Sequence, residues 1–124
     1  VEEWSLAVRS DEQLSTLPIE FRFFNTTGNV PEDLDAKSDL CVIDAGHSYD
    51  DVSNDWEKFG RSSQNVFFHD VYDRHIRLKH NCKSAHEFWN DLKVNPDFAD
   101  SEKFEFFDHP SKKALMGIGL LCKQ

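Results

Sequence analysis

The residues LCVIDAGHSYDD (40–51) and NVFFHDV (65–71) determine how this chain is expected to fold. Each segment is a short apolar run that ends in Asp and His side chains. The first run is apolar at every position before Asp44, which is typical of a strand covered on both faces in a parallel sheet. Because parallel strands bring their carboxyl ends to the same edge, the two segments predict one polar site.

Segments of helical and strand-like pattern alternate around these two runs. Ser48 is placed to cap a helix whose apolar residues recur at helical spacing and which Gly60 ends. Ser84 and Glu87 have the spacing of a capping box for a second helix. Further strands are predicted at 3–8, 19–24, 104–107 and 115–122. The alternation predicts an α/β sheet with helices on its faces.

Composition excludes several classes of function. The chain has 124 residues, enough for one domain over 1–124, and a formal net charge of −9. Since Lys and Arg do not cluster, a nucleic-acid surface is not expected. Three distant cysteines without CxxC spacing argue against a disulfide framework and a structural zinc site. No apolar run approaches the ~18 residues of a membrane span, and a cytoplasmic location is expected.

The strand ends carry the residue types of a catalytic or metal site. Asp44, His69 and Asp70 would lie within a few ångströms of one another if the two strands are neighbours. Clustered carboxylates need a cation, a proton or a ligand, and this donor set suits Mg²⁺ or Mn²⁺. His47 is placed to act as a general base. The structural alternative is that the Asp residues cap turns and the His residues bond backbone carbonyls.

The central motif matches a known family. IDAGHSYDDVSNDWEKF followed by NVFFHDVYD resembles class I S-adenosylmethionine-dependent methyltransferases, in the branch that reads IDGxHxYxxVxxD and then FHD. Ala45 replaces the usual Gly. The resemblance covers about residues 19–122.

The resemblance implies a Rossmann-like, mostly parallel sheet with helices on both faces and a C-terminal antiparallel strand pair. It implies methyl transfer from S-adenosylmethionine to a hydroxyl of a small molecule or glycan. The implied metal ligands are Asp44, His69 and Asp70, the implied catalytic residues are His47 and Asp44, and the implied cofactor contacts are Thr26, Thr27 and Gly46. Metal use is less firmly implied than the fold.

One part of the family pattern is absent from this sequence. Such enzymes hold the donor with a Gly-rich loop after the first strand, whereas this chain has no GxGxG and no glycine before Gly28. The first strand and its helix are therefore missing from the 124 residues. Three explanations stay open: the chain is a fragment, the second strand pairs directly with the fourth, or a partner chain such as a second copy completes the sheet.

Two other interpretations compete with a methyltransferase. His47, His69 and Asp70 superficially satisfy the H…HD…D pattern of HD phosphohydrolases, although that family is helical. A non-catalytic module that has lost its cofactor loop is the second alternative. Outside the motif, Trp56 and Trp89 are predicted to be core residues, and His86 and His109 are predicted to be exposed.

Overall fold

The computed structural model describes residues 10, 16, 25, 26, 28, 30–34, 37–72, 84–106 and 117–124. The chain divides into two compact units, Val1–Val30 and Pro31–Gln124. The first unit contains a turn in which the Gly28 N–H donates to the Asn25 carbonyl at 3.0 Å. The strands predicted at 3–8 and 19–24 lie outside the described residues, as does His109.

The described residues of the second unit form a four-stranded sheet and two helices. In chain order these are β1 (Leu40–Ile43), α1 (Tyr49–Asp55) with a π-helical turn (Trp56–Gly60), β2 (Asn65–His69), α2 (Ala85–Val94), a 3₁₀ turn (Pro96–Phe98), β3 (Glu102–Phe106) and β4 (Ile118–Cys122). The strand order is β1-β2-β4-β3. β1 and β2 are parallel, whereas β4 is antiparallel to both of its neighbours, β2 and β3.

This topology confirms the α/β class but corrects the prediction of a mostly parallel sheet. The described sheet is mixed, with one parallel pairing and two antiparallel pairings. β4 lies between β2 and β3, and the connection over 107–117 is shorter than the dozen or so residues that a parallel crossover needs. The predicted antiparallel pairing of the last two strands is present.

Local sequence signals set both helix starts. The Ser48 hydroxyl accepts a hydrogen bond from the Asp51 N–H at 3.1 Å. The Glu87 carboxylate accepts from the Ser84 N–H at 2.8 Å and from the Ser84 hydroxyl at 2.6 Å. Each cap satisfies donors that a helix N-terminus would otherwise leave unpaired, so α1 and α2 begin where the sequence predicts.

Both described helices pack on one face of the sheet. The rings of Trp56 and Trp89 lie 5.9 Å and 5.3 Å from the ring of Phe68, which is fully buried. These contacts confirm both tryptophans as core residues. Gly119 of β4 lies under Trp89, where an added Cβ would come within 2.8 Å of the indole. The small residue lets the helix approach the sheet closely.

The other face of the sheet is more open. It carries apolar side chains that are 44% to 59% exposed, namely Leu40, Val42, Phe104 and Phe106. The continuous apolar pattern of β1 predicted coverage on both sides, but the helices within the described ranges cover only one. Within the described ranges the predicted helices are therefore present on one face of the sheet, and helices on the other face stay a prediction.

Candidate active site at the strand ends

The parallel pairing of β1 and β2 brings the two motif segments to one edge. Ile43 pairs with Phe68, so Asp44 and His69 follow at the same level. The Nδ1 atom of His69 lies 3.1 Å from Oδ1 of Asp44. The predicted clustering of the strand ends is thus present.

Asp70 is the centre of the cluster. Its φ angle is 59°, the left-handed region that residues with a Cβ rarely occupy, although Asp tolerates it better than most. The residue is 4% exposed. Its Oδ2 lies 2.8 Å from Nδ1 of His47, and its Oδ1 lies 3.0 Å from Nδ1 of His69. The unusual backbone therefore directs a buried carboxylate between two imidazoles.

The His47 and Asp70 pair has the arrangement of a general base and its orienting carboxylate. A carboxylate facing Nδ1 favours the tautomer with the proton on that nitrogen, which leaves Nε2 able to accept a proton. The His47 side chain is 43% exposed while that of Asp70 is 6% exposed. The imidazole can therefore reach a ligand while its carboxylate stays in the interior.

His69 and Asp70 lie close together but do not form a hydrogen bond with each other. Although Nδ1 of His69 and Oδ1 of Asp70 are close, both atoms are buried and neither makes a hydrogen bond. Such pairs are costly in a protein interior and are frequent at functional sites. No Lys or Arg in the described ranges forms an ion pair with Asp44 or Asp70.

These side chains do not form a ready-made metal centre. Among the residues that the structure describes, no group of three or more His, Cys, Asp or Glu side chains is arranged to hold a metal ion. The carboxylates of Asp44 and Asp70 instead face imidazole nitrogens. A metal on Asp44, His69 and Asp70 stays a prediction from the resemblance.

Of the three predicted cofactor contacts, the structure describes Thr26 and Gly46. An added Cβ on Gly46 would lie 2.4 Å from the Asp51 side chain, so this glycine makes room for a first-turn residue of α1. Thr26 belongs to the first compact unit, and Thr27 lies outside the described residues. A role for these three residues in binding S-adenosylmethionine therefore stays a prediction.

The first turn of α2 contributes contacts that the sequence did not predict. The Ala85 N–H donates to the His47 carbonyl at 3.0 Å. His86, predicted to be exposed, is part-buried, and its Nδ1 lies 2.6 Å from the Val71 carbonyl. The capping box placed the start of this helix correctly, but no local signal shows which loops it meets.

A surface depression lies at the opposite end of the strands. Its volume is about 310 Å³, and its lining residues precede β1 or β2: Lys37, Ser38, Asp39, Ser62 and Gln64. It contains none of the motif residues. The clustering of ionisable side chains, and not the size of a cavity, identifies the candidate site.

Comparison with known proteins finds no matching family, no matching curated protein and no matching solved structure. His69 closes a β-strand and Asp70 follows it directly, which argues against the helical HD phosphohydrolase alternative. Within the described part of the chain, no helix combines the length and apolar character needed to cross a membrane.

Proposed function

We propose that the chain carries the acceptor-activating site of an S-adenosylmethionine-dependent methyltransferase that acts on a hydroxyl of a small molecule or glycan. The observation that carries this proposal is the 2.8 Å contact between His47 and Asp70 at the carboxyl ends of two parallel strands. The motif residues that resemble the family supply the reaction class. The absence of a family match leaves that class to be tested directly.

In this proposal His47 removes the proton of the acceptor hydroxyl. Nε2 accepts that proton, and the Asp70 carboxylate offsets the positive charge that then develops on the imidazole. The sulfonium methyl of the bound donor is the electrophile in this class of reaction. A positioned general base contributes about 10²- to 10⁴-fold to a rate.

Asp44 and His69 have a supporting role in the proposed site. His69 lies between the carboxylates of Asp44 and Asp70, at 3.1 Å and 3.0 Å. Its ring separates two like charges that would otherwise repel each other. The Asp44 side chain is 52% exposed, so its carboxylate is also accessible to an acceptor.

The test begins with a calorimetric titration of the full chain with S-adenosylhomocysteine, with and without Mn²⁺. We expect saturable binding, and methyl transfer that His47→Gln lowers by about 10²-fold or more while binding is retained. The matched control is Asp97→Asn, an exposed carboxylate distant in sequence from the motif. A folded protein that binds no S-adenosylhomocysteine in either condition would contradict the proposal for this chain alone.

The alternative function is a non-catalytic assembly module that pairs with a second copy of the chain along β1. Its supporting observation is that β1 is an edge strand of the described sheet, with Leu40 55% and Val42 59% exposed. Exposed apolar edge strands readily pair with another chain. Sedimentation analysis would detect a dimer that Val42→Lys dissociates, and a monomer at all concentrations would exclude this alternative.

A further inference from the structure

The first turn of α2 contacts both loops that carry the proposed catalytic pair. Ala85 donates its N–H to the carbonyl of His47 itself. His86 contacts the carbonyl of Val71, the residue directly after Asp70. Two consecutive residues of one helix therefore connect the loop after β1 to the loop after β2.

The ring of His86 is held by both of its nitrogens. A carbonyl oxygen can only accept, so Nδ1 must donate to Val71 across the 2.6 Å contact. Nε2 then accepts from the Asn90 amide at 3.1 Å. The ring of Tyr72 also contacts the imidazole edge to face, with centroids 6.0 Å apart. These contacts define one tautomer and one orientation.

The hydrogen bond from His86 completes the anchoring of Val71. The Val71 N–H donates to the Gly117 carbonyl at 3.1 Å, and the residue is 1% exposed. A left-handed conformation at a residue with a Cβ persists only where its surroundings hold it. Anchoring of Val71 at both its N–H and its carbonyl restricts the backbone of Asp70.

We propose that His86 is a positioning residue that keeps the Asp70 carboxylate against His47 by anchoring the Val71 carbonyl. This inference rests on the proposed function. Without the donor at Nδ1, the loop after β2 can relax into ordinary backbone conformations, and Oδ2 of Asp70 moves away from Nδ1 of His47. The imidazole of His47 then loses the partner that selects its tautomer.

Substitutions at position 86 separate positioning from packing. His86→Asn places an amide donor near the position of Nδ1, whereas the longer side chain of His86→Gln places its amide near the position of Nε2. His86→Leu fills the space without any donor. Asn90→Ala is the matched control, because it removes the other partner of the same ring and leaves the contact to Val71.

The measurement is nitrogen NMR of the full chain with ¹⁵N-labelled histidine, with the His47 signals assigned from their loss in His47→Gln. We expect His86→Leu and His86→Gln to shift the His47 ring nitrogens toward the average of the two tautomers. We expect His86→Asn and Asn90→Ala to retain the wild-type signals. If His86→Leu does not fold, His86→Gln decides, since it keeps a polar side chain at this part-buried position.

Unchanged His47 nitrogens in a folded His86→Gln protein would overturn the inference, as would equal shifts from Asn90→Ala. In the methyl-transfer assay, His86→Gln should lower kcat by about 10²-fold with little change in KM, and His86→Asn should restore it. The NMR result does not depend on turnover. Failure of the proposed function would instead appear as absence of S-adenosylhomocysteine binding by the wild-type chain.

Discussion

Oδ1 of Asp70 and Nδ1 of His69 lie 3.0 Å apart in the interior of the second unit, and neither atom makes a hydrogen bond. Leaving a buried polar atom without a hydrogen bond costs about 1–3 kcal/mol. Asp70 also occupies the left-handed region of backbone space. Two unfavourable features on one residue are expected where a site is shaped for function at the expense of stability.

We therefore expect Asp70→Asn to increase the free energy of unfolding by about 1 kcal/mol. Asn tolerates the left-handed conformation, has nearly the same shape and removes a buried negative charge. The same substitution should lower the activity that depends on His47 by about 10²-fold or more, because the carboxylate partner of the imidazole is lost. Urea unfolding and the methyl-transfer assay measure the two effects.

Asp70→Ala provides the comparison. It also removes the charge, but a Cβ without a polar group makes the left-handed conformation about 1 kcal/mol less favourable than it is for Asn. We therefore expect the Asp70→Asn protein to be more stable than the Asp70→Ala protein. A loss of stability in Asp70→Asn as large as that in Asp70→Ala would show that the carboxylate stabilises the fold.

The features of this structure that depend on neighbouring residues are predictable from the sequence. The strands around Val42 and Phe67 and the caps at Ser48 and Ser84 are set by apolar runs and by side chains three positions apart. The convergence of Asp44 with His69 followed from one further assumption, that the two strands are neighbours.

The remaining features depend on contacts between residues that are distant in sequence. β4 lies between β2 and β3, but the apolar patterns of the strands are similar and do not specify which strands pair. His86 was predicted to be exposed because its contact with Val71 depends on where α2 packs, and the capping box does not specify that. The left-handed conformation of Asp70 likewise has no signal in its neighbours, which lack a turn-forming glycine.

Gly119 provides a test of the packing between α2 and the sheet. In Gly119→Ala the added methyl group would lie 2.8–2.9 Å from the Trp89 indole, which is 1% exposed and cannot move outward freely. We expect the free energy of unfolding to fall by about 1–3 kcal/mol. Thermal unfolding followed by circular dichroism measures the effect.

The control for this prediction is Gly28→Ala, where the nearest atom would be 3.5 Å away, and its effect should be within about 0.5 kcal/mol. Trp89→Phe, which shortens the ring system, should reduce the cost of Gly119→Ala in the double variant. Additive effects of the two substitutions would show that the clash is relieved elsewhere.

Lys123 binds the backbone carbonyls at the C-terminal end of the helix formed by α1 and the π-helical turn Trp56–Gly60. Its Nζ donates at 2.7 Å to the carbonyls of Gly60, Arg61 and Ser63, and it lies 4.8 Å from the Trp56 ring centroid. Lys123→Met keeps the apolar stem but removes these bonds, so we expect a loss of about 2 kcal/mol at pH 7, measured by urea unfolding. The exposed residue Lys37, changed to Met, is the control.

The stability difference between the wild type and Lys123→Met is expected to change with pH in one direction. Burial lowers the pKa of Lys123 below its usual value of 10.5. Between the folded and the unfolded pKa the unfolded chain binds more protons, so wild-type stability rises with pH in that window. The stability difference between wild type and Lys123→Met should therefore widen as pH approaches 10.5, and a narrowing would contradict the burial of the ammonium group.

Glu105 links β3 to α2 and has the opposite charge. Burial raises the pKa of this carboxyl, but hydrogen bonds from Lys93 and from Nε1 of Trp89 outweigh burial, and the pKa is lowered from the usual 4.5. A group with a lowered folded pKa contributes stability above its unfolded pKa and loses it as pH falls through its folded pKa. Because Glu105 is partly exposed, solvent screening limits this contribution to about 0.5–1 kcal/mol.

We expect Glu105→Gln to be less stable than the wild type by that amount at pH 7, and the difference to shrink as pH falls below 4.5. The contribution of Lys93 is a screened ion pair, so 1 M salt should also reduce the difference at pH 7. Glu102→Gln on the same strand is the control, since the hydrogen bonds from Trp89 and Lys93 are accepted by Glu105. If the stability difference between the wild type and Glu105→Gln stayed the same at low pH, the charge of Glu105 would not be its cause. The difference would then come from the hydrogen bond donated by Trp89, which the amide oxygen of Gln would have failed to accept.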